Sequence, residues 1–413
     1  MPEYKVDTQL LAEGKDRHGR MRRLTILLLS LALLLALPGC SAREQSIYEQ
    51  DYDYLWYLLE NEYPHYYVAE RLRDRDLDEL RAQYAALLPE VETTQEFYEL
   101  IVAPCLSDIG YVGHLGVVYY DEYQLRLYSA ENHSQPYHTF LLETLTAPAV
   151  REFYEQMKVT AGPGAVSGAE TDTSNLEFDY YPEQNTAYVK VRMMLNDVDP
   201  DGELLRAFFM DIEEQGYEHC IIDIRENPGG SDWYWKKNLV MPNITEDTYG
   251  TFYALFSGEY SREYVDLLFD TYTLEELPVE TMPELSENDL SIATGCARVD
   301  IGVSAQEGAE PLFTGKFWLL VGPRVYSASE MFAVYAKYTG FATLVGEPTG
   351  GDGIGMSPLV RALPNTGICL KYTAMLGLNP DGTANSEVGT TPDYECHPAL
   401  TLLKCLDLIE EGA

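Results

Sequence analysis

From Ser46 to Leu106 apolar side chains return every three to four positions. Leu55, Leu58 and Leu59 share one face of a segment that Pro64 ends. Leu77, Leu80, Tyr84 and Leu87 follow at the same spacing, and Phe97, Leu100 and Ile101 lie behind Thr93 and Glu96, which are spaced as a capping box. This pattern predicts a small N-terminal helical domain over residues 41–112. Past the glycines around His114 comes the alternating, β-branched and aromatic run Val117 to Tyr120, so residues 113–182 read as a β-rich linker segment.

Residues 183–413 carry a different rhythm. Ala187 to Val191 reads as a strand, Glu203 to Glu214 as a helix with Leu204, Leu205, Phe208 and Ile212 inward, and His219 to Arg225 as a strand. The order repeats with Phe317 to Val321, Ala328 to Tyr338 and Ala342 to Val345. Strand, helix, strand implies a parallel α/β sheet with right-handed crossovers. Between these repeats, residues 241–310 are rich in Tyr, Glu and Thr and read as an insertion with no assigned chemistry.

The N-terminus belongs to none of these elements. Met21-Arg22-Arg23, the apolar run Leu24 to Leu37 and Leu37-Pro38-Gly39-Cys40 together read as a lipoprotein signal peptide over residues 1–40, with Cys40 the lipidated residue. An uncleaved membrane anchor would need about 20 apolar residues, more than this run supplies. The expectation is an extracytoplasmic body tethered to the bacterial membrane. A net charge of -39 repels phosphate backbones, so nucleic acid is excluded as a partner. No CxxC pair or zinc-like spacing is present, and no metal or organic cofactor is called for. A Cys396–Cys405 disulfide is permitted by the compartment and indicated by nothing else. Nothing in the sequence bears on oligomeric state.

Ser327 falls at the turn between a strand and a helix. Ser327-Ala328-Ser329-Glu330 fits a capping box, in which the hydroxyl serves only the helix N-terminus. A second reading makes Ser327 a nucleophile. Upstream, Asn227-Pro228-Gly229-Gly230 follows a strand, and adjacent glycines can turn their N–H groups toward a ligand, as an oxyanion hole requires. His114 lies in a glycine-rich turn, which by itself is only a modest sign of a base.

The segments DIRENPGG from Asp223, SASEMFA from Ser327, GEPTGG from Gly346 and SEVGTTPD from Ser386 resemble, in that order, the C-terminal-processing (tail-specific) serine peptidases, among whose relatives is the tricorn protease core. The resemblance implies a crotonase/ClpP-like spiral core and peptide or protein substrates. Many members insert a peptide-binding PDZ domain near residues 121–182; that stretch is too short and turn-rich to hold one. Tail-specific members use a Ser–Lys dyad, but here Asp352 stands at the lysine position in GEPTGGDG. Lys371 and Lys337, downstream of Ser327, are not expected to reach it. The tricorn-like branch uses His as base and a late Glu in the relay. By that resemblance Ser327 is the nucleophile, His114 the base and Glu387 the relay acid, with Gly230, Ala328 and Gly229 around the oxyanion and Asp352 left outside. Ser329, one residue into the helix, points away and is expected to matter little. Two other classes stay open: a catalytically inactive peptidase-fold binding lipoprotein and another acyl-handling enzyme.

Overall fold

The computed structural model describes residues 45–133, 136–160 and 174–413. The signal peptide and Cys40 lie outside the described residues. Six strands form the main sheet, in the order Tyr394–Glu395, Ala342–Gly346, Lys316–Val321, His219–Asp223, Thr186–Val191 and Leu176–Tyr181. All neighbours are parallel except the last, where Leu176–Tyr181 runs antiparallel to Thr186–Val191. The helices Asp199–Glu214 and Ala328–Thr339 form the crossovers.

Side chains alternate across this sheet with period two. Cys220, Ile222, Phe317 and Leu319 point into the large core, against Phe209 and Ile212 of the first crossover helix among others. Tyr188, Ile221, Trp318 and Leu320 point the other way, onto Leu406, Leu408 and Ile409 of the helix Thr401–Glu411. Burial on both faces explains why these strands are near-continuous apolar runs.

Residues Ile47–Ala413 make up one unit. The N-terminal helices are therefore a helical region of that unit and not a domain of their own: Leu55, Trp56, Leu58 and Phe97 join the same core as the sheet. Asp51, fully buried in the helix Ile47–Asn61, accepts from the N–H groups of Asn365 (3.0 Å) and Thr366 (2.7 Å) and from both of their side chains, fastening helix to core. The capping box of Thr93 and Glu96 is present.

The reading of residues 113–182 as a β-rich linker is corrected. The described part of residues 113–182 is mostly helical, with helices Tyr120–Asn132, Pro136–Leu145 and Pro148–Thr160; of the β-like run only Val117 pairs, beside Gly116, against Leu370 and Lys371. The run is too short to hold more, and Tyr123, Ala130, Leu141, Leu145 and Val150 bury themselves at helical spacing instead. Most of the turn-rich stretch before Leu176 lies outside the described residues. The insertion at 241–310 forms the long antiparallel pair Thr248–Phe256 and Gly295–Val303.

Candidate active site

Loops leaving the carboxyl ends of three adjacent parallel strands converge, as ligand sites in parallel α/β sheets do. His219–Asp223 leads to Gly229-Gly230, Lys316–Val321 to Ser327, and Ala342–Gly346 to Asp352. A fourth segment, the turn Val112–His114, enters from the helical region.

Ser327 stands at φ 58°, ψ −122°, and its hydroxyl makes no cap hydrogen bond, which removes the capping-box reading. Glu330, the other half of that box, is fully buried. Its Oε1 accepts from Asn385 Nδ2 at 2.8 Å and Thr390 Oγ1 at 2.6 Å, and burial pushes its pKa above the carboxylate range. The strained turn is held by backbone: Ser327 N–H donates to Gly351 O at 3.2 Å, and Met331 N–H to Ser327 O at 2.8 Å.

With the cap unused, the Ser327 Oγ is free to meet His114 Nε2, 3.2 Å away. The other ring nitrogen, Nδ1, pairs with Asp352 Oδ2, and Thr373 Oγ1 lies 3.0 Å from it. Asp352 is almost wholly enclosed, its side chain 3% exposed. Tyr326 Oη and Thr373 Oγ1 also donate to Oδ2, at 2.9 and 3.2 Å. Burial alone would raise the Asp352 pKa, but the charge and hydrogen bond of His114, the nearby His65 and the Tyr326 hydroxyl outweigh it and hold the carboxyl below its ordinary range. The phenol of Tyr326, buried beside that carboxylate, is pushed far above its usual value. A carboxylate on Nδ1 favours the tautomer with the proton there, leaving the Nε2 lone pair for the serine.

His114, Ser327 and Asp352 all have positive φ, 56°, 58° and 60°, a region unfavourable for side chains with a Cβ. Backbone strain of this kind, of order 1 kcal/mol or more per residue, persists where surrounding contacts impose it. Here the imposition brings three side chains from three loops together.

Glu387 is not among them, which corrects the relay assignment. Its carboxylate takes a bidentate bond from Arg71, with Nη2 at 2.6 Å and Nε at 2.9 Å; Arg71 also binds Asp289. The fork of the guanidinium satisfies both Glu387 oxygens away from the imidazole. Gly229 is corrected as well: its N–H donates to Asn227 Oδ1 at 3.0 Å and is spent. Among the described hydrogen bonds the N–H groups of Gly230 and Ala328 have no protein acceptor, and both residues line the cleft over Ser327. Gly230 has φ 133°, and a Cβ there would fall 2.0 Å from Met194 O, so only glycine fits.

Ser329 matters more than its place in the helix suggests. Its buried hydroxyl donates to the same Asn227 Oδ1 at 2.6 Å, tying the nucleophile helix to the glycine turn. Lys371 binds Glu122 at 2.6 Å, and Lys337 reaches Thr391 O, so neither approaches the serine. Thr373, Tyr326 and Ser329 carried no sequence signal of their own. Asp352 carried one: it occupies the segment in which relatives place the serine's partner.

The cleft has a volume of about 480 Å³. The insertion contributes Leu268, Phe269, Val299, Asp300 and Ile301 to its lining, and Met331 and Met356 line it too, together with the polar Asp232, Lys236 and Ser357.

A serine hydroxyl on an imidazole that is backed by a buried carboxylate, with free N–H groups beside it, is the arrangement of a serine hydrolase. The chain belongs to peptidase family S41, whose family model matches residues 185–396. No protein of curated description matches its sequence. Among solved structures, a proposed peptidase of Parabacteroides merdae is similar over 88% of this chain and 97% of its own, at 16% identity and TM-score 0.53. Mature CPAF is similar over 88% and 96%, at 14% identity and TM-score 0.51. Its complex with lactacystin gives 15% identity and the same TM-score of 0.51. At these identities the likeness is one of fold.

Proposed function

We propose that this S41 family member is an active serine-type peptidase that cleaves peptide or protein substrates through an acyl-enzyme on Ser327, with His114 as base and Asp352, not Glu387, as the third member. The observation that carries this reading is the continuous path from Ser327 Oγ through His114 Nε2, at 3.2 Å, to Asp352 on Nδ1. As Oγ bonds to the substrate carbonyl carbon, its proton passes to Nε2, and the N–H groups of Gly230 and Ala328 stabilise the oxyanion. Collapse breaks the C–N bond, and the imidazolium returns the proton to the leaving amine. Water, deprotonated by the same imidazole, then releases the acyl group. Asp352 stays ionised throughout and stabilises the cation on His114. The alternative of an inactive binding lipoprotein rested on Asp352 having replaced a lysine and on the loose His114 motif; a carboxylate paired with His114 weighs against it.

The cellular setting proposed is extracytoplasmic, with Cys40 lipid-anchored to the bacterial membrane; the sequence Leu37 to Cys40 supports it. Loss of radiolabelled palmitate incorporation in Cys40→Ala is the expected outcome, and unchanged incorporation would refute it.

Digestion of a peptide library by the soluble domain, read by mass spectrometry, tests the activity. Ser327→Ala should abolish cleavage and fluorophosphonate labelling while leaving the melting temperature nearly unchanged, because the hydroxyl caps nothing. Cleavage that survives the substitution would remove Ser327 from the mechanism.

A further inference from the structure

Asp352 has a second histidine on its other side. His65 Nε2 lies 3.9 Å from Asp352 Oδ1, the oxygen opposite the one on His114. His65 is wholly buried, and both of its ring nitrogens lack a hydrogen-bond partner. An apolar ring would fill this place without that cost, since each unsatisfied buried polar group forfeits about 1–3 kcal/mol.

The surroundings of His65 locate the base as well as the acid. Pro64 separates two rings from the helical region. Tyr63 Oη donates to Val112 O at 2.7 Å, and the His65 ring packs so closely on Gly113 that a Cβ there would fall 2.6 Å from its Nδ1. The two rings stack with centroids 5.4 Å apart. Tyr63 and His65 thus brace the two residues immediately before His114, and Thr373 N–H closes the same turn by donating to Gly113 O at 2.6 Å.

We propose that His65 is a positioning residue of the peptidase, whose neutral ring places an N–H dipole toward Asp352 Oδ1, 3.9 Å away and without a hydrogen bond, so that Oδ2 stays turned to His114. The proposal rests on the Ser327–His114–Asp352 reading. A neutral donor orients the carboxylate without consuming its charge; a cationic His65 would compete with His114 for it. Burial, opposed by the attraction of Asp352 and aided by the nearby His114, holds the His65 pKa down to about 4, which keeps it neutral near pH 7.

The test uses His65→Phe and His65→Leu, which keep an apolar filling, and His65→Gln, whose amide can restore a donor at the Nε2 place. Either of the first two that folds should lose kcat by about 10- to 100-fold, the scale found when groups that orient a functional histidine or carboxylate are removed, with KM within about twofold. His65→Gln should recover most of that loss. A second readout is independent of turnover: the low-field proton resonance of His114 Nδ1–H in the ¹⁵N-histidine-labelled protein should shift in the apolar variants and return in His65→Gln. Wild-type kcat with an unmoved resonance in a folded apolar variant would overturn the proposal, as would Gln and Leu variants of equal melting temperature that are equally impaired. Wild-type protein that cleaves nothing while the resonance still responds to His65 would count against the peptidase reading and not against the positioning role.

Discussion

Replacing Asp352 by asparagine deletes one negative charge and little volume, so it isolates what the carboxylate does. In the reaction a unit positive charge forms on His114 beside it. Two unit charges about 4 Å apart attract by about 4 kcal/mol at an effective dielectric of about 20, worth about three decades in rate. Asparagine adds a second fault, because its amide can offer an N–H to Nδ1 and stabilise the wrong imidazole tautomer, while Tyr326 Oη and Thr373 Oγ1 still need an acceptor. The expected fall in kcat is about 10³- to 10⁴-fold. Glu387→Gln is the matched control. It removes a carboxylate held by a partly exposed Arg71, an ion pair worth about 0–1 kcal/mol of stability, and should keep kcat/KM within about threefold. A fluorogenic peptide chosen from the library digest reads both variants, with fluorophosphonate labelling rates as a check that does not depend on substrate choice. Asp352→Asn within tenfold of wild type, or Glu387→Gln losing as much as Asp352→Asn, would refute the assignment.

Two further outcomes follow from neighbouring contacts. Ser329→Ala should cost about 1 kcal/mol of stability and lower kcat by about tenfold, because Asn227 Oδ1 would lose one of the two donors that fix the Gly229-Gly230 turn; an unaltered kcat would show that the turn is rigid without it. His65 predicts an acid sensitivity. Its folded pKa of about 4 lies below the ordinary 6.5, so between these values the unfolded chain binds the extra proton. The stability is complete above about pH 6.5 and drains away as the solution is acidified toward pH 4, by about 1.4 kcal/mol for each pH step of one across that window. Urea unfolding at pH 7 and 4.5 should show wild type losing about 2–3 kcal/mol more than His65→Gln, and equal losses would mean that His65 is not neutral in the fold. Asp352, with its depressed pKa, adds a loss of the same sign that extends to lower pH.

The parts of this site that follow the chain's periodicity could be read in advance. Strand-turn-helix at Ser327 and strand-turn at Gly229-Gly230 both reflect local pattern, and the parallel sheet follows from their order. Asp352 and Glu387 could not be separated that way. Both are acidic residues in turns, and what distinguishes them is which cation comes within reach: His114, far upstream, for one and Arg71 for the other. Glu330 misled for a related reason, since its spacing from Ser327 suits a cap, but burial against Asn385 and Thr390 gives it better partners. The helices of residues 120–160 were hidden by the aromatic run before them, of which only Val117 pairs as strand. The length of the paired strands in the insertion depends on cross-strand packing that no single strand reveals.

His114 and Ser327 are separated by 213 positions in the chain yet share a hydrogen bond. A growing polypeptide therefore exposes His114, the proposed base, well before Ser327, the proposed nucleophile, has been made, and Asp352 emerges later still. No fragment released early can hold all three, and a finished chain gains them only when the turn at His114 lies beside Ser327 and Asp352. On the proposed mechanism, hydrolytic power would be a property of completion, which would protect the cell that synthesises the chain during the interval when it is most exposed to its neighbours.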